Sequence, residues 1–519
     1  MPPHTIRNST RKAGLLPALA SLCVACALLH PHALLAQSPS NPSTGLPQLG
    51  DGSDITPPAE RRIGDRIARE LYRDPDYIDD PIVMDYVQGI WQPLLAAARL
   101  RGELPAQMDE TYAWDILLGR DRTVNAFALP GGYFGLHLGL VGVVTSRDEL
   151  ASVLAHELSH VTQRHIARSM SRQASQAPWV LGALILGMLA ASKDAGAAQA
   201  TIVGTQAAAV QNQLNYSRDM EREADRIGFG VQTQAGFAPQ GFVSMFEKLQ
   251  QSNRLNDAGG FPYLRSHPLT TERIADMQSR VAQADTRIAA PVTTWEHAMV
   301  AARARVLSNG AVDALRNWEQ EALPANLAKL SVPARAGTLY GATLAALKLR
   351  DFALVQATLN RLTAFTSTNA AAARLTRLLA IDAAVSQGKV GTATELAKGL
   401  TDASRSTLLV RAQTDTLSGR GDVAAQNLRT WLADHPRDAG AWQALAAALA
   451  SSGRTVAAVR AEAEVNVAQM DYAAALTRFK AAQDLARKST LQADHIEASI
   501  VDVRARQMES LLREQAVER

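Results

Sequence analysis

Cysteine is nearly absent from this 519-residue chain: Cys23 and Cys26 are the only two, and both lie in an apolar run near the N-terminus. If that run is removed, no thiol is left, which excludes disulfides and thiol catalysis and leaves only nitrogen and oxygen side chains to hold a metal. An excess of one charge is lacking as well. The 53 basic residues face 50 acidic ones without a basic block, which argues against nucleic acid as a partner. Long apolar runs are missing too. Residues 13–29 are short for a spanning helix and contain Pro17, and residues 179–189, from Trp179 to Leu189, are too few to cross a bilayer. Arg7, Arg11 and Lys12, the apolar run behind them and Ala36 before Gln37 follow the order of a cleaved secretory signal. We therefore expect a signal peptide over residues 1–36 and a Ser-, Pro-, Gly- and Asp-rich linker over 37–58. The remaining length suits two or three domains.

Histidine is also scarce, with eleven in all. Against that background His156-Glu157-Leu158-Ser159-His160 stands out, since a chance HExxH has odds of roughly one in a hundred. Two imidazoles four residues apart share one face of a helix and can ligate one Zn²⁺, and the glutamate between them can take a proton from a water at the metal. The flanking residues predict such a helix: Ser146 as a cap, Asp148 and Glu149 in the first turn, then Leu150, Val153, Leu154, Leu158 and Val161 at helical period. The rival reading is a surface helix whose histidines bind nothing. Gln163 and Ile166 stand where the long, metzincin form of the motif would have Gly and a third His, so the third ligand must lie elsewhere. Glu221 and Asp225 are also four apart and share a helical face, while Glu223 points away. Glu221 would complete a His₂Glu site that leaves a position open, and Asp225 would accept the free ring N–H of a ligand histidine. The rival here is a solvated helix laced with Arg and acid pairs.

Four blocks in this order, Asn125-Ala126-Phe127-Ala128-Leu129-Pro130-Gly131-Gly132-Tyr133, HELSH, Glu221-Arg222-Glu223-Ala224-Asp225 and Ser266-His267-Pro268, resemble the gluzincin proteases related to HtpX and the CAAX prenyl endopeptidase. The resemblance spans residues 59–290 and implies an α+β zinc metalloprotease domain with a small sheet. It implies one Zn²⁺ per chain on His156, His160 and Glu221, with Glu157 as general base. His267 matches a histidine on a loop beside the metal, where two roles stay open: stabilising the oxyanion, or capping the zinc as a removable fourth ligand. Arg273 matches a family arginine suited to a developing negative charge. Residues 125–133 read as a short strand and turn. As an edge strand beside the zinc, Asn125, Ala126, Phe127 and Ala128 would hold an extended substrate by backbone pairing, although core packing explains them nearly as well.

After residue 295 the chain becomes Ala-, Leu- and Arg-rich. Gly388, Gly421 and Gly453 mark turn-like breaks 33 and 32 residues apart, close to the 34 of tetratricopeptide helix pairs. We expect a mainly α chain: a tetratricopeptide-like array over 298–485 with a repeat start at Pro436–Trp442 and a second helix from Tyr472, then a C-terminal helix over 486–519. Between 298 and 400 the repeat is degenerate. A signal peptide in front and such an array behind bring the resemblance to periplasmic protease-chaperones of outer-membrane β-barrel assembly. It implies a periplasmic location and protein clients, namely outer-membrane β-barrel proteins and their assembly machinery. Residues 179–189 read as a core helix or as a peripheral contact with a membrane or client, and the small residues of 195–209 as a flap. One rival function is a chaperone or scaffold of the same fold with a latent protease site. A weaker one, an aminopeptidase, lacks any sequence sign of a site for an N-terminal amine.

Overall fold

A computed structural model describes residues 55–171, 218–255, 262–284, 290–490 and 492–517. The expected signal peptide, most of the linker, the apolar stretch 179–189 and the small-residue stretch 195–209 lie outside the described residues. Among the described residues no helix is long and apolar enough to cross a membrane.

The first described element is α1 (Pro57–Arg73), which begins inside the expected linker because Thr56 caps it and prolines occupy its first turn. Next come α2 (Pro81–Leu100) and the short α3 (Ala106–Thr111), then β1 (Asp115–Gly119), β2 (Ala126–Leu129) and β3 (Tyr133–His137). The sheet order is β1-β3-β2, with β1 parallel and β2 antiparallel to β3. β2 is thus an edge strand, as expected, with Asn125 just before it. Then follow α4 (Leu138–Val143), the HExxH helix α5 (Arg147–Thr162) and α6 (His165–Ser171). After the undescribed segment come α7 (Arg218–Gln234), α8 (Gln240–Leu255), α9 (Pro262–Ser266) and α10 (Thr271–Gln283).

α5 starts where its residues predict. The Ser146 hydroxyl accepts from the Glu149 N–H at 3.1 Å, and Glu149 accepts from the Thr145 N–H at 2.6 Å and from Lys248 Nζ at 2.7 Å. Carboxylates at this end also suit the helix dipole. From Glu149 to Thr162 every residue is buried, so α5 is a central helix packed on all sides rather than a one-faced surface helix. α7 crosses it closely at Gly228, where an added Cβ would lie 3.0 Å from the Ala155 carbonyl oxygen.

All later described elements are helical: α11 (Trp295–Ser308), α12 (Val312–Glu321), α13 (Pro324–Leu327), α14 (Val332–Lys348), α15 (Phe352–Thr366), α16 (Ala370–Ser386), α17 (Val390–Lys398), α18 (Arg405–Leu417), α19 (Gly421–Asp434), α20 (Ala439–Ser451), α21 (Thr455–Ala468), α22 (Tyr472–Lys488) and α23 (Gln492–Val517). Helices α16, α18, α20 and α22 begin 35, 34 and 33 residues apart. By that spacing Tyr472 opens a first helix and not a second one. Gly421 does not make its turn either. Gly419 takes the left-handed conformation (φ 78°), as Gly388 (φ 70°) and Gly453 (φ 73°) do, and Gly421 opens α19, where an added Cβ would lie 2.5 Å from the Ala448 carbonyl oxygen. The turn between α14 and α15 puts Arg350 in the left-handed region (φ 58°), so no glycine marks it in the sequence.

One apolar core runs from Ile82 through the HExxH helix to Val410. Buried polar contacts join the same parts. Asp80 caps α2 by accepting from the Val83 N–H at 2.9 Å, and its carboxylate also receives Arg303 Nε and Nη2 of α11 at 2.9 and 2.8 Å. Burial pushes the Asp80 carboxyl up, but the guanidinium beside it holds it below the usual range. His297 Nδ1 lies 2.6 Å from the Tyr86 hydroxyl, and its Nε2 lies 2.8 Å from the Val144 carbonyl oxygen. Further along the array, Arg405 bridges Asp79 and Asp438, and Arg437 reaches the Tyr133 hydroxyl at 3.2 Å.

Asp80→Ala is expected to lower stability by about 3–5 kcal/mol, because it strands a buried guanidinium and removes a helix cap. Urea unfolding read at two sites, one in α5 and one in the array, should show a single transition shifted to lower urea. A loss under about 1 kcal/mol would show that the pair is not what joins the two regions.

Candidate metal centre

α5 presents His156, Glu157 and His160 toward α7, α9 and the residues after α9. Gly228 lets α7 approach closely enough to bring Glu221 and Asp225 over the HExxH face. His156, His160, Glu221 and His267 are all buried, and one ligand atom from each lies within 4.8 Å of the others. His156 Nε2 is 3.0 Å from His160 Nε2 and 3.5 Å from Glu221 Oε2, and His160 Nε2 is 3.4 Å from Glu221 Oε1. His267 Nδ1 is 3.0 Å from Glu221 Oε1 and 3.3 Å from His156 Nε2. Ligands about 2.0–2.1 Å from a tetrahedral zinc stand about 3.3 Å from one another, so these separations fit that ion. The donor set also suits zinc, with three imidazoles and a carboxylate and no thiol.

Around these atoms the buried charges are paired with one another. His156 Nδ1 lies 2.9 Å from Asp225 Oδ1. Burial lowers the His156 pKa, but Asp225 and Glu221 outweigh it and raise it to about 9. An incoming metal therefore displaces a proton there. Burial together with the charge on His156 holds His160 well below its ordinary value. Glu221, despite burial, is held well below the carboxylate range by His267 and His156. Glu157 goes the other way, because burial raises it. Its Oε2 accepts from the Ala128 N–H of β2 at 2.9 Å, while Oε1 has no hydrogen-bond partner among the described residues and lies 3.5 Å from His267 Nε2.

The expectation that Arg273 faces a developing charge meets a guanidinium already committed. Nε and Nη2 donate to Asp225 at 2.7 and 2.8 Å, and Nη1 lies 2.8 Å from Glu221 Oε2 and 2.9 Å from the Pro268 carbonyl oxygen. The edge strand stands beside the centre through the Ala128–Glu157 contact. Tyr263, His165 and Arg168 escaped the sequence reading. Tyr263 stacks on His267 with ring centroids 4.6 Å apart, and its N–H reaches the Val124 carbonyl oxygen at 3.4 Å. His165 lies against His160, and Glu223 accepts from His165 and Arg168. None of these belongs to the four blocks as a ligand or base, so no motif pointed to them.

The model of peptidase family M48 matches residues 95–281, a span that holds the edge strand, α5, α7, His267 and Arg273. The beta-barrel assembly-enhancing protease of Escherichia coli K12 is 31% identical over 470 residues, which are 88% of this chain and 91% of that protein. This chain belongs to peptidase family M48. Another relative, from Vibrio cholerae, is 34% identical over 339 residues, covering 64% of this chain and 65% of its own length. The mitochondrial metalloendopeptidase OMA1 of Saccharomyces cerevisiae is 27% identical over 211 residues, which are 38% of this chain and 56% of that protein. An M48 chain with this buried His/His/Glu/His cluster is a zinc metallopeptidase, with a single such cluster among the described residues.

The purified protein is expected to carry about one zinc per chain. Glu221→Gln should remove most of it, whereas Glu223→Gln, whose side chain faces His165 instead, should retain far more. Metal analysis by mass spectrometry after dialysis decides, and equal losses would place the third ligand on the wrong face of α7.

Proposed function

We propose that this M48 peptidase is a periplasmic zinc endopeptidase acting in quality control and assembly of outer-membrane β-barrel proteins. The observation that carries the reading is the alignment with the Escherichia coli beta-barrel assembly-enhancing protease, which covers 88% of this chain, too much to be confined to the metal-binding region, and 91% of that protein. The N-terminal order of charge, apolar run and small residue supports export. In this reading residues 59–290 are the protease, and 298–485 form a tetratricopeptide-like array that recruits the client before the C-terminal helix of 486–519.

His156, His160 and Glu221 would hold the ion, and Asp225 would orient His156. Zinc bound there supplies a Lewis acid that polarises the scissile carbonyl and acidifies the attacking water. Glu157, raised by burial and with no hydrogen bond at Oε1 among the described residues, takes the water's proton and delivers it to the leaving amine. The outward groups of Ala126 and Ala128 pair with the substrate backbone, with Asn125 and Phe127 alternating toward β3. Tyr263 and Glu157 hold two outward groups of this edge, at Val124 and Ala128, so an incoming strand displaces both contacts. Arg273 then acts as the anchor of the two carboxylates rather than as an oxyanion donor.

For His267 the separations favour the cap, since its Nδ1 stands 3.3 Å from His156 Nε2 and 3.0 Å from Glu221 Oε1. That observation also gives weight to a second reading, a chaperone of the same fold whose protease site is latent. Glu157→Gln tests both. The variant should keep its zinc and lose casein cleavage by about 10²–10⁴-fold. Failure to complement cells lacking the protein would favour the protease, and full complementation the chaperone. Cleavage near the wild-type rate would overturn the assignment of Glu157. His267→Ala should raise basal peptide cleavage with zinc retained, and a fall in turnover instead would assign His267 to the oxyanion.

A further inference from the structure

His160 turns its two ring nitrogens to different partners. Nε2 faces the metal cluster, 3.0 Å from His156 Nε2 and 3.4 Å from Glu221 Oε1. Nδ1 faces away, 2.8 Å from Nδ1 of His165. His165 sets its own Nε2 3.0 Å from Glu223 Oε2, and the same oxygen accepts from Arg168 Nη1 at 3.1 Å. Both imidazoles are fully buried.

Valence fixes the protons along this line. A ligand imidazole gives its Nε2 lone pair to the metal, so its proton resides on Nδ1 and needs an acceptor. His165 Nδ1 stands in the acceptor's place and must keep its lone pair, so the His165 proton resides on Nε2 and is donated to Glu223. Arg168 holds the charge at the far end. His156 is served differently, because Asp225 faces its Nδ1 directly at 2.9 Å.

The backbone is bent to bring this about. Residues five apart on a continuous helix do not share a face. α5 ends at Thr162, Arg164 adopts the left-handed conformation at φ 53°, and α6 begins at His165, which returns under His160. The Arg164 Nε lies 3.3 Å from the buried Glu60 of α1, which secures the turn.

We propose that His165 is a positioning residue of the metal centre: it fixes the tautomer and ring orientation of His160 and passes that hydrogen bond on to Glu223 and Arg168. The inference rests on the reading of His156, His160 and Glu221 as the zinc ligands. Glu223, which points away from the metal, thereby acquires a role on the opposite face of α7.

The test is zinc affinity of the full-length chain, measured by competition with a chromophoric chelator, beside the thermal midpoint of the zinc-free protein. His165→Phe keeps the volume and removes the acceptor, and should weaken zinc binding about 10–100-fold with the zinc-free midpoint unchanged. His165→Asn places a carbonyl oxygen where Nδ1 was and should recover most of that loss. Glu223→Gln, at the more exposed end of the line, should weaken binding by about tenfold or less, and it serves where His165→Phe does not fold. Wild-type affinity in both His165→Phe and Glu223→Gln would overturn the proposal. So would a loss matched by an equal fall in the zinc-free midpoint, or His165→Asn binding as weakly as His165→Phe. A wild-type chain that binds no zinc would instead overturn the ligand assignment, and this inference with it.

Discussion

Glu221 and Asp225 stand one helical turn apart with about 1% of each residue exposed, and two carboxylates do not stay ionised in so dry a place without a cation. For Asp225, Arg273 supplies it in a form that lysine could not, and at Glu221 it stands beside His267 and His156. Its planar fork takes Asp225 with two nitrogens and leaves the third for Glu221 and the Pro268 carbonyl. The guanidinium also lies over the Phe246 ring, 5.2 Å from its centre. One side chain of α10 therefore fixes α7, touches α8 and holds the backbone next to His267. A buried charge that loses its partner costs about 3–5 kcal/mol, so each member of this cluster depends on the others more than on any surface contact.

The second constraint is that the HExxH helix is buried on every side. α7, α8, β2 and α2 close around it, and the helices after residue 294 brace those neighbours. α11 packs on α4 and α2, the Arg303–Asp80 pair spans the join, and the same apolar core continues to Val410. Farther on, Arg405 and Arg437 return to Asp79 and Tyr133, close to the sheet that carries the edge strand. The helices that would recruit a client are thus continuous with the scaffold of the metal centre. The array meets α2 and β3 through direct contacts.

What could be read in the sequence was local chemistry at helical or strand spacing. His156 with His160, Glu221 with Asp225, the Ser146 cap and the strand at Ala126–Leu129 each follow from residues within five positions of one another. What could not be read depends on where the chain turns or on partners far away. His165 has no periodic relation to His160, and only the left-handed Arg164 brings it back. Arg350 occupies a left-handed turn position without being glycine, which hides one helix boundary in the stretch where the repeat looked degenerate, and Gly421, so close to the true turn at Gly419, imitates one. The Asp80–Arg303 pair joins residues 223 positions apart, and each of its members looks like an ordinary surface charge when read alone. Arg273 shows the same limit from the other side. Its place in the site was implied by the family resemblance, but its role was not, because the role is decided by which carboxylates have already claimed its five N–H groups.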